Sequence, residues 1–210
     1  PMAFLVDYKP LFEQKNQIYS DFWSYFGLDS LRAYGDYDDS SMFAYAVGMV
    51  IENYCTYHKI QDKKIVAHFN EWQTAFGELY LKKYVPYIGT IFTTHATSVG
   101  RSIAEHNKPL YDYLHAFNGD QMAGELNLDA KHSSEKTAAQ QADCFTTVSE
   151  ITAKECAQLL ERKVDVVLPN GFENDFVPKN QTYRAKQKEA RKILSSIAEI
   201  LLEKEISKDT

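Results

Sequence analysis

Ile65-Val66-Ala67-His68-Phe69-Asn70-Glu71-Trp72 is an apolar run that breaks into polar residues where a parallel strand would end. Thr90-Ile91-Phe92-Thr93-Thr94-His95-Ala96-Thr97 repeats that grammar. So do Asp143-Cys144-Phe145-Thr146-Thr147-Val148-Ser149-Glu150 and Asp165-Val166-Val167-Leu168-Pro169-Asn170-Gly171. Apolar runs of this length suit strands buried on both faces by helices. In open α/β sheets the ligand crevice lies beyond the carboxyl ends of the strands. Here those ends carry His, Asn, Glu, Thr and Ser, the hydrogen-bonding groups that a many-hydroxyl substrate needs.

The reading outward from these runs gives strand 64–69, helix 71–84 and strand 87–94. Helical pieces follow over 97–140, broken at Asn107-Lys108-Pro109 and Asn118-Gly119-Asp120, then strand 143–148, helix 150–162 and strand 164–168. Such β-α-β alternation predicts an α/β fold, a parallel sheet flanked by helices with right-handed crossovers. Ahead of it Pro1–Val6 reads as strand-like, and residues 7–40 as a long loop with a short helical piece near Ser20–Gly27. Ser40 or Ser41 would cap a helix running to about His58, with Phe43, Val47, Val50 and Tyr54 on one stripe. The tail from Thr182 to about Ile206 reads as a helix whose apolar face carries Ile193, Leu194, Ile197, Ile200 and Leu201.

Composition bounds the function. The chain has 210 residues, 44% hydrophobic and 25% charged, as in ordinary soluble globular proteins. A net charge of -6 argues against a nucleic-acid or anionic-membrane surface. No stretch approaches the roughly 20 apolar residues that span a bilayer. The first residues lack a signal-peptide pattern, and the cytoplasm is the simplest location. Cys55, Cys144 and Cys156 are odd in number and lack CxxC spacing, so neither a disulfide framework nor a zinc site is implied. The 14 tyrosines and 12 phenylalanines can serve a core or stack on sugars.

Several motifs are missing: GxGxxG, GxxxxGK[ST], GxSxG and HExxH. His68 and His95 stand at or beside strand ends, where a histidine is either structural or a site residue. Glu71 is either a first-turn carboxylate favoured by a helix dipole or an acceptor for substrate hydroxyls. Ser149 before Glu150 fits an N-cap, and Asn170-Gly171 after Pro169 is turn chemistry.

Taken in order, the cassettes His-Phe-Asn-Glu-Trp, Thr-Ile-Phe-Thr-Thr-His-Ala-Thr, Gly100-Arg101, Phe145-Thr146-Thr147-Val148-Ser149 and Leu168-Pro169-Asn170-Gly171 are more specific than any one alone. Together they resemble the glycogen synthases of the fungal and animal type, from Asp21–Gly27 to Gly171. The resemblance implies a GT-B glycosyltransferase with two facing Rossmann-like domains, retaining at the anomeric carbon and independent of metal or other cofactor. Its partners would be a nucleotide-sugar donor, UDP- or ADP-glucose, and the non-reducing 4-hydroxyl of an α-1,4-glucan acceptor. A homo-oligomer is left open.

By the same resemblance His95 matches the histidine beside the transferred glucose and is the catalytic candidate. Glu71 matches the acidic residue near the acceptor end, and His68 the first histidine of the family's His-Phe-His-Glu-Trp. Asn70 departs from that pattern, because it replaces the second histidine while still able to donate and accept hydrogen bonds. Arg101 and Asn170 also match. The family's glycine-rich donor loop and its second, nucleotide-binding domain have no counterpart here. The expected organisation is therefore a partial N-terminal, acceptor-side domain over residues 1–180 and a linker helix over 181–210. Such a fragment is expected to be inactive alone. Two other readings stay open: a retaining GT-B enzyme with a small-sugar acceptor, and a non-catalytic glucan-binding module.

Overall fold

The computed structural model describes residues 3–171 and 181–206. Two compact units divide the chain, Pro1–Pro169 and Asn170–Thr210. The first holds a four-stranded parallel sheet: β1 (Val66–Asn70), β2 (Gly89–Thr94), β3 (Cys144–Thr147) and β4 (Val166–Val167). Its strand order is β1-β2-β3-β4, the order of the sequence. All four strands lie within two residues of their expected ends. The predicted α/β parallel sheet, Rossmann-like in its alternation, is the observed one.

A sheet built in sequence order by crossovers of one hand stacks its connecting helices on one side. Those helices are α3 (Ala75–Tyr84), α4 (Ser98–Glu105), α5 (Gly119–Glu125), α6 (Asp129–Gln141) and α7 (Glu150–Leu159). They follow α1 (Lys15–Phe26) and α2 (Tyr37–Tyr57). Ala67, Phe69, Phe92 and Phe145 face the core. On the opposite face Val66 is 63% and Val166 45% exposed, and His68 and Asn70 are exposed too. The expectation of strands covered on both faces is thus corrected for β1, which alternates exposed and buried residues. One-sided winding is the physical reason.

The long loop expected over 7–40 is also corrected, although the short helical piece expected near Ser20–Gly27 is the second half of α1. A 3-10 turn at Lys9–Gln14 runs into α1. Ile18 and Phe22, four residues apart, bury one stripe of α1, and Phe22 stacks on Phe76 of α3 at 4.9 Å between ring centres. Gly27, at φ +71°, ends α1 with its N–H on the Trp23 carbonyl. Residues 3–6 form no strand, and Pro1 and Met2 lie outside the described residues.

Helix α2 begins earlier than expected, after Asp36, with Asp38 and Asp39 in its first turn. Ser41 is no cap: its hydroxyl donates back to the Tyr37 carbonyl at 2.7 Å. Nor is the core stripe Phe43, Val47, Val50 and Tyr54. Tyr37, Ser41, Met42, Ala44, Gly48 and Cys55 are buried instead, and the face turns small where α3 comes close: a β-carbon on Gly48 would stand 2.7 Å from Tyr80. Phe43 and Tyr54 meet Tyr8 and Phe4 edge-on. The second unit holds α8 (Gln181–Ile206), a helix where one was expected.

Candidate functional site

The carboxyl ends of β1 and β2 converge on one carboxylate. Glu71 follows β1 directly and takes φ +65°, ψ 163°, a backbone region that is nearly glycine's alone. Its N–H continues the ladder to the Thr93 carbonyl at 2.9 Å, and its own carbonyl accepts the Thr74 N–H at 3.0 Å. Held in this way, the side chain turns toward the end of β2. Glu71 Oε1 accepts the His95 main-chain N–H at 2.8 Å, and Oε2 pairs with the Arg101 guanidinium. Arg101 also donates through Nη2 to the Ala96 carbonyl at 2.9 Å. Glu71, His95 and Arg101 therefore form one closed arrangement.

The loop between β2 and α4 is held from beneath by two further carboxylates. Glu135 of α6 accepts the Thr94 hydroxyl, and the N–H and hydroxyl of Ser98 at 2.7 and 2.8 Å. Glu155 of α7 accepts the Thr97 N–H at 2.9 Å, the Thr97 hydroxyl, and the Tyr111 hydroxyl at 3.0 Å. Both glutamates are almost wholly buried. Burial drives the Glu135 carboxyl up to about 7, against the opposing pull of its Thr94 and Ser98 donors. Thr97 caps α4 with its hydroxyl on the Gly100 N–H. The Gly100-Arg101 pair thereby acquires a physical meaning: the glycine leaves room for Glu155 and the arginine reaches Glu71.

His95 itself is exposed, and its imidazole has no hydrogen-bond partner among the described residues. His68 is exposed on the open sheet face, its Nε2 2.7 Å from the Thr93 hydroxyl. Thr93 in turn meets the Thr146 hydroxyl at 2.6 Å, and Thr146 donates to the Phe92 carbonyl. Asn70 shares the open face, and its carbonyl accepts the Thr74 hydroxyl at 2.8 Å. Asn170 is exposed and falls in the second unit.

Glu135 and Glu155 were missed by the sequence reasoning, although each carried a signal. Glu155 sits on the buried stripe of α7 with Thr152, Cys156 and Leu159. Glu135 shares a face of α6 with Ala138 and Ala139. A carboxylate on an apolar stripe is seldom left without partners. Ser149 is the N-cap of α7, as expected.

Fold and site together define a Rossmann-like α/β domain with a polar, carboxylate-braced site at the ends of its strands. A family model described as glycogen synthase matches residues 1–193. The chain is 33% identical over 177 residues to a glycogen [starch] synthase of Dictyostelium discoideum, covering 83% of this chain and 19% of that protein. It is 35% identical over 173 residues to glycogen [starch] synthase isoform 2 of Saccharomyces cerevisiae, covering 82% and 24%. Against the human liver glycogen [starch] synthase it is 45% identical over 110 residues, covering 52% and 16%. The chain belongs to the glycogen synthase family. It spans between a sixth and a quarter of the length of these relatives.

Proposed function

We propose that this chain supplies the acceptor side of a retaining glucosyltransferase, which moves glucose from UDP- or ADP-glucose to the 4-hydroxyl of an α-1,4-glucan. One observation carries the reading: His95 offers an unpartnered, exposed imidazole on a loop whose main chain is fixed by Glu71, Glu135 and Glu155. Transfer at an anomeric carbon passes through a sugar that has gained positive charge. Preorganised carboxylates beneath the reacting centre favour such a charge. His95 would contact the transferred glucose, while His68, Asn70 and the Glu71–Arg101 pair would meet acceptor hydroxyls.

The same geometry bears on the donor. Helix N-termini commonly bind phosphate. At α4 the Thr97 and Ser98 N–H groups are already taken by Glu155 and Glu135. That occupancy supports binding of the nucleotide diphosphate elsewhere in the whole protein, and with it the inactivity of this chain alone. Residues 1–180 would then form the partial acceptor-side domain and 181–210 the linker helix. Thermal melts with ligands test the proposal. A maltooligosaccharide should raise the melting temperature of the chain, whereas a phosphorylated monosaccharide should not. The reverse ranking would replace the glucan by a small-sugar acceptor.

A further inference from the structure

The loop Thr94–Ser98 has an unusual set of anchors. Three of its main-chain N–H groups, those of His95, Thr97 and Ser98, each end on a different carboxylate. These come from three separate elements: the turn after β1, α7 and α6. Of these three carboxylates, only Glu71 has a cationic partner among the described residues, Arg101. A buried carboxylate without one is costly. Here the donors that offset that cost all belong to the loop or to Tyr111. Room has also been made for the arrangement, since any side chain at Gly100 would overlap Glu155. Neither Glu135 nor Glu155 is near enough to solvent to meet a substrate.

We propose that Glu135 and Glu155 are positioning residues, clamping the Thr94–Ser98 loop from beneath so that His95 is presented in a single orientation. The inference rests on the reading of His95 as the group that contacts transferred glucose, and it adds residues that act through His95. Two glutamates share the load differently. Glu155 fixes Thr97 at the start of α4, and Glu135 bridges the two flanks of His95 by holding Thr94 on one side and Ser98 on the other.

The clamp should respond to pH through Glu135. The groups facing it are the Thr94 hydroxyl from β2 and Ser98 from α4, with Glu71 adding a charge that raises it further. Across α7 lies the Cys156 thiol, which burial and then the charges of Glu135 and Glu155 push up, so it stays neutral. When Glu135 takes a proton it loses one acceptor site, and the hold on Thr94 or Ser98 weakens.

The experiment has one arm that does not depend on transfer activity. In the 210-residue chain, the amide proton of Ser98 is followed by NMR from pH 5 to 9. It should move with a midpoint near 7, and the movement should vanish in Glu135→Gln. Ser98→Ala, which keeps Glu135 but removes a hydroxyl donor, should raise the midpoint. A Ser98 amide that ignores pH, or one that titrates alike in Glu135→Gln, overturns the clamp whatever the chain's function. The second arm measures kinetics in the transferase containing this segment. At pH 8 Glu135→Gln should lower kcat about 10- to 100-fold with KM little changed, the scale of a modest misplacement of reacting groups. At pH 6, where wild type is itself protonated, the two rates should converge. The surface variant Glu125→Gln should follow wild type at both values. A constant deficit across pH, or a loss confined to KM, contradicts positioning. Failure of wild type to transfer glucose at all would instead overturn the functional reading and leave the NMR arm to decide the clamp.

Discussion

Gly100 and Glu155 approach so closely that a β-carbon on the glycine would stand 2.3 Å from Oε1 of the carboxylate. The same atom would lie 2.6 Å from the Thr97 hydroxyl. In an ordinary helix Gly→Ala is stabilising by up to about 1 kcal/mol. In α4 the sign should reverse. Gly100→Ala is expected to destabilise the chain by about 1–3 kcal/mol, the usual range for overpacking. In a Glu155→Ala background the same change should cost much less. Urea unfolding of the four proteins in that cycle reads the coupling directly.

Glu71 separates strain from chemistry. At φ +65°, ψ 163° a residue with a β-carbon stores about 1–3 kcal/mol that glycine does not. Glu71→Ala keeps the strain and loses the bonds to His95 and Arg101. Glu71→Gly loses the bonds and relieves the strain. The glycine variant should therefore be the more stable by about 1–2 kcal/mol, yet both should raise the glucan KM. Equal stabilities would mean the backbone relaxes when the carboxylate goes.

Glu78 of α3 supplies a pH dependence of stability. It is fully buried, with Oε1 accepting the Thr90 hydroxyl and Oε2 unpartnered. Burial lifts its carboxyl to about 8, from an ordinary 4.5. A carboxyl raised on folding means that the folded state holds the proton more tightly than the unfolded chain. Its contribution is complete below about 4.5 and is lost as pH rises toward about 8. Glu78→Gln mimics the protonated form. Its advantage over wild type should grow from pH 5 to pH 8, by at most about 1.4 kcal/mol per pH unit. Melting temperatures that differ by a constant across this range would refute the assignment.

His95→Ala should leave stability nearly untouched, because the imidazole is exposed and only the main chain is anchored. In the whole transferase it should lower kcat about 100- to 1,000-fold, the scale of losing one preorganised group, while glucan affinity stays close to wild type. A variant that melts early but turns over normally would reduce His95 to a structural brace.

The sheet was legible because four apolar runs each end in polar residues with helical pieces between them. Helix α1 was legible only in its second half, as the short helical piece near Ser20–Gly27, since Ile18 and Phe22 alone mark its buried stripe and Asn16, Gln17, Ser20 and Asp21 imitate a loop. In α2 the stripe of Phe43, Val47, Val50 and Tyr54 was the wrong one, because close approach to α3 selects Gly48, and Tyr37 and Met42 are buried with it. Of the site, the sequence pointed to Glu71, His95 and Arg101, and these meet in space. Their bracing by Glu135 and Glu155 depends on helix rotation across 40 to 60 intervening residues, and no local spacing encodes that.

The one-sided winding of the sheet has a practical consequence for handling the chain. The same sequence-order topology leaves β1 at an edge of the sheet among the described residues, and its residues Val66, Ala67, His68, Phe69 and Asn70 carry no fixed charge. An uncharged edge is a template for pairing with another copy. Lys63 and Lys64 stand just ahead of it, where lysines discourage such addition, but they lie outside the strand itself. Preparations of this segment should therefore self-associate as concentration rises. Replacing Val66, exposed on the bare face, with lysine is the least intrusive way to keep them monomeric.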